Sequence, residues 1–325
     1  MNLNMCELPF EIDVEIKSFQ NIAFRLGIIK ANICNYDLWL SNRMINCVHY
    51  IGQEYNVYDK DPWGYKESLL TVNRLNITPE LLERNKFDII NKNEDALTKG
   101  YYVYGFYNEK YISRKLAHKR WDKKHDYVIY GFDRNSRSFY SAGYINQTYQ
   151  KFTISYDDYY NSLINCTDDF YEIEYIDVCR DYIATVDIGY IKKVLTCYLE
   201  SKAHFIEIPF RNSVHGISTW YDLAQSMLDN DKFDLRSYRI FKEHKILMYI
   251  RLKTFEKLGM IGITNFSWQY LINVLRPAEV IFNLCIKYMY TQKFDLLLRI
   301  SNLLKIICEN EKQIISVFLN TLEQV

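Results

Sequence analysis

Hydrophobic and polar positions divide the chain into a strand-rich first half and a helix-rich second half. The central stretch is His125 to Asp133, HDYVIYGFD, in which a histidine opens an apolar run and a Gly131-Phe132-Asp133 corner closes it. A second strand-like run, Arg137 to Tyr144 (RSFYSAGY), follows at once, so the pair predicts a β-hairpin with an imidazole at the root of its first strand. Tyr101 to Tyr107 (YYVYGFY) and Phe170 to Val178 (FYEIEYIDV) predict further strands of one sheet. Phe19 to Ile29 is strongly apolar, with helix and strand periods in competition. Asp37 to Tyr50 (DLWLSNRMINCVHY) spaces its apolar residues as one amphipathic helix of about four turns, with Asn35 or Asp37 at its N-cap. Thr78-Pro79-Glu80 and Ser155-Tyr156-Asp157-Asp158 read as capped helix starts, and Gly100 ends a short helix over 93–99.

From Asp187 onward, apolar residues recur at intervals of three and four. Helices are predicted over 187–201, 218–227, 234–258, 266–275, 277–290 and 295–322. The expected organisation is an α+β first domain over 1–184 and an α-helical second domain over 185–325. A chain of 325 residues is long enough for two such cores.

Charge and cysteine content narrow the function classes. Lys plus Arg and Asp plus Glu balance at 40 each, so global electrostatics gives no reason to expect nucleic acid as a partner. No apolar run reaches the length of a membrane span, and the N-terminus lacks a basic region followed by an apolar core. The eight cysteines are scattered, without a CxxC pair, so neither a zinc knuckle nor a disulfide framework is expected. The chain reads as a reduced cytoplasmic protein. His49, His118, His204, His215 and His244 show no ligand spacing, and no metal site is expected.

Two features carry chemistry. Cys34 lies just before or at the start of the helix predicted over 37–50, where free N–H groups and the helix dipole favour a thiolate and can receive an oxyanion. Paired with His125 it would form the nucleophile and base of acyl transfer. Residues 110–124 (KYISRKLAHKRWDKK) hold seven Lys or Arg against the single acid Asp122. This run is either a solvated loop face or a docking patch for an acidic partner. The strand after the histidine's own offers no acid to orient His125; Asn146, just beyond it, is the nearest substitute.

HDYVIYGFDRNSRSFYSAGY followed by YQKFTISYDDYYNSL resembles the histidine-hairpin region of the butirosin biosynthesis protein H family. These are papain-like cysteine acyltransferases of natural-product clusters. NICNYDLWLSN, YYVYGFY, VHGISTWYDLAQSML and DLRSYRIFKEHKILMYIRL are similar too, so the resemblance spans most of the chain. It implies a papain-like first domain and a Cys-His-Asp triad. It further implies an acyl group delivered on the phosphopantetheine of an acyl or peptidyl carrier protein, a small amine acceptor and no bound cofactor. Carried onto this sequence, the nucleophile is Cys34 and the base His125; at the acid's position stand Ala142 or Gly143, leaving Asn146. Carrier proteins are acidic, so Lys115, Lys119, Arg120, Lys123 and Lys124, immediately before the histidine strand, are the implied docking residues. The expected function is therefore a carrier-dependent amide synthase, with two alternatives. One is a non-catalytic papain-like binding or scaffold protein, favoured by the missing acid; the other is a cysteine peptidase or cyclase. A homodimer is compatible with any of these.

Overall fold

The computed structural model describes residues 3–50, 57–58, 69–78, 86–166, 171–204, 213–229, 233–261 and 265–322. The helix start expected at Pro79 lies outside them. The chain is α+β and forms two compact units: Met1–Cys34 with Glu67–Tyr182, and Asn35–Lys66 with Ile183–Val325. The boundary read near residue 184 falls two residues from the third and last crossing between them, at Tyr182. Residues 35–66, read as part of the first domain, belong to the second unit.

The first unit is an antiparallel sheet between helices. Its strands are β1 (Met5–Glu7), β4 (Leu70–Ile77), β5 (Tyr102–Asn108), β6 (Lys124–Asp133), β7 (Ser138–Ile145), β8 (Thr148–Ser155) and β9 (Tyr171–Val178). They are ordered β4-β9-β5-β6-β7-β8, with β1 also pairing β6. One face is covered by α3 (Lys86–Thr98) and α4 (Tyr156–Ile164). The core there is Val103, Tyr107, Tyr127, Ile129, Phe139, Phe152 and their neighbours. Buried tyrosines need partners for their hydroxyls. Tyr127 and Tyr159 bond each other at 2.7 Å, and Asn93 Nδ2 donates to Tyr159 at 2.9 Å. Ser155 caps α4 by accepting from Asp158 N.

Helix α1 (Gln20–Asn32) buries Ile22, Ala23, Phe24, Leu26, Ile28 and Ile29. Apolar groups surround most of it, which is why Phe19 to Ile29 shows no single period. The irregular segment after β1 crosses α1 at Gly27, whose backbone oxygen accepts from Glu11 N at 3.1 Å. A Cβ at Gly27 would lie 2.5 Å from Glu11 O, so only glycine permits the crossing.

The second unit contains a small sheet, β10 (Ser213–His215), β2 (Cys47–Tyr50) and β3 (Val57–Tyr58), with helices α5 (Ile188–Leu199), α6 (Ser218–Asp229), α7 (Leu235–Lys257), α8 (Phe266–Tyr270), α9 (Arg276–Thr291) and α10 (Phe294–Leu322). The single helix expected over 37–50 is instead a short helix α2 (Tyr36–Ser41), a turn with Met44 in the left-handed region (φ 52°), and strand β2. The cause is tertiary. The fully buried Arg251 of α7 donates to the carbonyls of Ser41 and Arg43, both at 2.8 Å. These are orphan acceptors at the end of α2. Cys47 to Tyr50 then pair with β10 and β3. Among the described residues, no helix is long and apolar enough to cross a membrane.

Candidate functional site

Strand β6 presents His125 at its root, opposite Tyr107 of β5. The imidazole is about one-third exposed. Its partners are Gln20, Asp126 and Glu109.

Gln20 is the first residue of α1 and is buried. Its amide nitrogen makes a short contact with His125 Nδ1 and donates to Asp126 Oδ1 at 3.1 Å. Its amide oxygen accepts from the backbone N–H of Tyr144 at 3.0 Å. Both ends of the carboxamide are therefore bonded, tying α1 to β6 and β7. The room for it comes from Gly143, whose φ is +153° and where an added Cβ would stand 3.0 Å from the Gln20 oxygen and 3.4 Å from Lys115 Nζ. On this strand a carboxylate at position 143 would intrude on Gln20 and Lys115.

The acid nearest the imidazole comes from elsewhere. Asp126 Oδ1 lies 3.0 Å from His125 Nδ1, and Glu109 Oε1 lies 4.0 Å away. Glu109 opens a single 3-10 turn after β5, and the buried Asn108 fixes that turn. Asn108 Oδ1 accepts from Lys110 N and Lys123 N, both at 3.1 Å, and its amide nitrogen donates to Asp122 and to Asn165 O. The Glu109 carboxylate is thereby held between Lys115 Nζ at 3.2 Å and Lys123 Nζ at 3.0 Å. Burial alone would raise its pKa, but Lys115, His125 and Lys123 hold it below the ordinary carboxylate range. Burial lowers that of Lys115, against the pull of Glu109.

A folded-state pKa below that of the unfolded chain means that the Glu109 contribution is complete above about pH 4.3 and is lost as pH falls through the lower folded value. Glu109→Gln is therefore expected to cost about 2–3 kcal/mol at neutral pH, because it removes the carboxylate bonded to the buried Lys115 and leaves Tyr144 O, two ring faces and the charge of Asp126. It should also reduce the acid sensitivity of the first unit. Urea unfolding of both proteins at pH 7 and pH 4 checks this: equal losses at the two pH values contradict it.

Several residues expected at the site are placed elsewhere. Cys34 is exposed, between the C-cap of α1 at Ile33 and Asn35. Gln20 meets His125 at the other end of that helix, whose 13 residues rise about 20 Å. Helix α2, which follows Cys34, has only six residues, and its N-cap Asn35 is left-handed with no capping side-chain bond. All eight cysteines are among the described residues, and none of the eight is bonded to His125. Asn146 is an exposed residue of the β7–β8 turn with φ 48°, a turn role and not an orienting one. Of the implied docking residues, Lys115 is only 5% exposed, with its ammonium against the rings of Tyr107 and Phe152, so it cannot meet a partner. Lys123 is paired with Glu109, whereas Lys119, Arg120 and Lys124 are exposed.

Sequence reasoning missed Gln20, Glu109 and Asp126. Asp126 stands beside the histidine in the central stretch itself. Glu109 is masked by the lysines and arginines that follow it. Gln20 opens the apolar run whose mixed periods concealed a helix start. Among the described residues, no three His, Cys, Asp or Glu side chains converge as metal ligands. No protein-family model matches the sequence, and no curated protein is detectably similar to it.

Proposed function

We propose that the chain is a non-catalytic papain-like binding protein of a natural-product pathway, which docks an acidic acyl or peptidyl carrier protein without forming an acyl-enzyme. The papain-like reading is supported by a helix N-terminus meeting a histidine at the root of an antiparallel strand. The observation that carries the non-catalytic reading is the identity of the group at that helix start. Gln20 offers a carboxamide, whose nitrogen is a donor without a free lone pair and whose two ends are already bonded. It cannot attack a thioester. His125 is then a hydrogen-bonding and charge partner for Gln20, Asp126 and Glu109, with no thiol to activate. The expected acyl transfer through Cys34 loses its support because that thiol stands at the opposite end of α1.

The docking reading rests on a revised surface. Lys119, Arg120 and Lys124 are exposed, and beside them in the chain or against Lys124 are the exposed Leu116, Trp121 and Phe106. Cations around apolar anchors suit an acidic, amphipathic partner. Changing Lys119, Arg120 and Lys124 to Glu is expected to weaken binding of a pantetheinylated carrier protein at least tenfold and to flatten its dependence on salt. Fluorescence anisotropy with a labelled carrier at two salt concentrations measures both. Affinity unchanged by the triple reversal refutes the docking surface.

A further inference from the structure

Strand β4 lies at one edge of the large sheet: among the described residues it pairs with β9 alone. Its pairing runs in unbroken register from Leu70 opposite Val178 to Ile77 opposite Tyr171. Proteins blunt such edges with very short strands, bulges, prolines or lysines. β4 (LTVNRLNI) has none of these, and Thr71, Val72, Asn73, Arg74 and Asn76 are exposed. The direction of its backbone groups follows from the end of the ladder. Cys179 N donates to Leu69 O at 2.9 Å, so these two residues form a hydrogen-bonded pair. Such pairs alternate along an antiparallel ladder. Thr71, Asn73, Leu75 and Ile77 are therefore bonded to β9, and the N–H and C=O groups of Leu70, Val72, Arg74 and Asn76 point outward.

Beside this edge is a groove of about 360 Å³ between β4 and α3. Asn73 and Leu75, on one face of β4 by its period of two, line it together with Ala96, Tyr101 and Tyr175. The two phenol rings are held in place. The Tyr175 hydroxyl donates to Asn93 Oδ1 at 3.1 Å, and Tyr101 N, after Gly100 at φ +93°, donates to Ala96 O at 2.9 Å. The charges around groove and edge are matched among themselves. Lys99 lies 2.7 Å from Asp95, Lys92 also has a partner, and Arg74, on the other face of β4, lies 3.2 Å from Glu174 and 3.6 Å from Glu172.

We infer that β4 is a docking edge for an uncharged, extended peptide segment of a partner protein, which pairs with Leu70, Val72, Arg74 and Asn76 and lays one large apolar side chain in the groove. Outward N–H and C=O groups repeating every second residue, about 7 Å apart, are matched by the backbone of another β-strand. Alternate side chains of an added strand fall on the α3 side of the sheet, where Leu75, Ala96 and the two phenol rings offer an apolar seat. With the local charges already matched, charge complementarity selects a neutral segment. A second copy of β4 would bring Thr71, Asn73 and Leu75 to that face, two of them polar, and suits the groove less well than a segment with an aromatic or branched anchor.

The inference is tested by selecting a phage library of random peptides on the full-length protein. Enriched peptides are expected to carry a large apolar residue within a run of β-formers. A fluorescein-labelled copy of the most enriched one then reports affinity by anisotropy. Val72→Pro removes an outward N–H and leaves the β9 ladder whole, so it should weaken binding at least tenfold with the urea midpoint unchanged. Ala96→Phe, which fills the groove, should weaken binding as much. N-methyl groups walked along the peptide should weaken it at alternate positions, a period that docking in the groove alone does not produce. Binding indifferent to Val72→Pro, an N-methyl scan without that period, or a library that yields no enriched peptide overturns the inference. A native protein that sediments as a dimer, and as a monomer after Val72→Pro, places a second copy on the edge and overturns it too. The result is independent of carrier docking, because none of these residues belongs to that surface.

Discussion

Gln20→Cys is expected to create a thiol that reacts with iodoacetamide at pH 6 on the order of tenfold faster than the exposed Cys34 and Cys179 of the same protein. The substitution puts a sulfur at the first residue of α1, where the helix dipole favours an anion, and beside an imidazole held by two carboxylates. The thiol ends two bonds short of the amide it replaces, so its pairing with His125 acts mainly through charge. Thiolates in such surroundings have pKa values lowered into the range of about 3.5–7.5, which raises the reactive fraction near pH 6, though each thiolate is individually less nucleophilic. Adding His125→Ala should remove most of the gain. Peptide mapping after brief alkylation assigns the label. A residue-20 thiol no faster than Cys34, or one indifferent to His125, would mean that the helix start and the imidazole do not form a nucleophile–base geometry.

A second large effect concerns the core of the helical unit. Lys245 and Glu311 are both fully buried and lie 2.6 Å apart. Tyr198 and Tyr270 donate to the same carboxylate, and Trp220 Nε1 donates to the Tyr198 hydroxyl. The Lys245 ammonium stands 5.0 Å from the Trp220 ring and 4.8 Å from that of Phe241. Beside it, burial and then Lys245 push the His244 pKa well below its ordinary value, so the ring stays neutral, accepting from Lys245 at Nδ1 and donating from Nε2 to Ile45 O. Removing one member leaves an uncompensated buried charge. Glu311→Ala is therefore expected to cost about 3–5 kcal/mol, a large part of the stability of an ordinary domain. Replacing both partners, Lys245→Met with Glu311→Leu, should recover part of that loss, the buried Tyr198 and Tyr270 hydroxyls still lacking the carboxylate they donate to. Denaturant unfolding of the two singles and the double gives the coupling directly. A Glu311→Ala protein within about 0.5 kcal/mol of the native one would show that the pair carries no stability.

The parts legible in the sequence were those decided by local pattern. Tyr127 to Tyr130 is a continuous run of β-formers, buried on both faces in β6, and Asp234 opens α7 by accepting from Arg236 N. What stayed hidden depends on distant residues. The break between α2 and β2 is made by Arg251, more than two hundred residues later, and a single amphipathic helix fits the local spacing of 37–50 equally well. At the site, His125 was visible as an ionisable group at a strand root. Its partners were not: Gln20 is remote in sequence and chemically bland, and Glu109 functions as the counter-charge of Lys115 only once the loop from β5 to β6 closes through Asn108. Cys34 drew attention because a thiol near a helix start is the stronger local signal. No local pattern reveals which end of α1 the imidazole faces.

A helix start that offers His125 a carboxamide and no thiol forms no acyl-enzyme. The native protein, incubated at pH 7.5 with a carrier protein loaded with a simple acyl thioester, should keep its unmodified intact mass while the thioester decays at its background rate. An adduct of one acyl group, lost on Cys34→Ala or on any other single cysteine replacement, would contradict the account and restore a catalytic thiol.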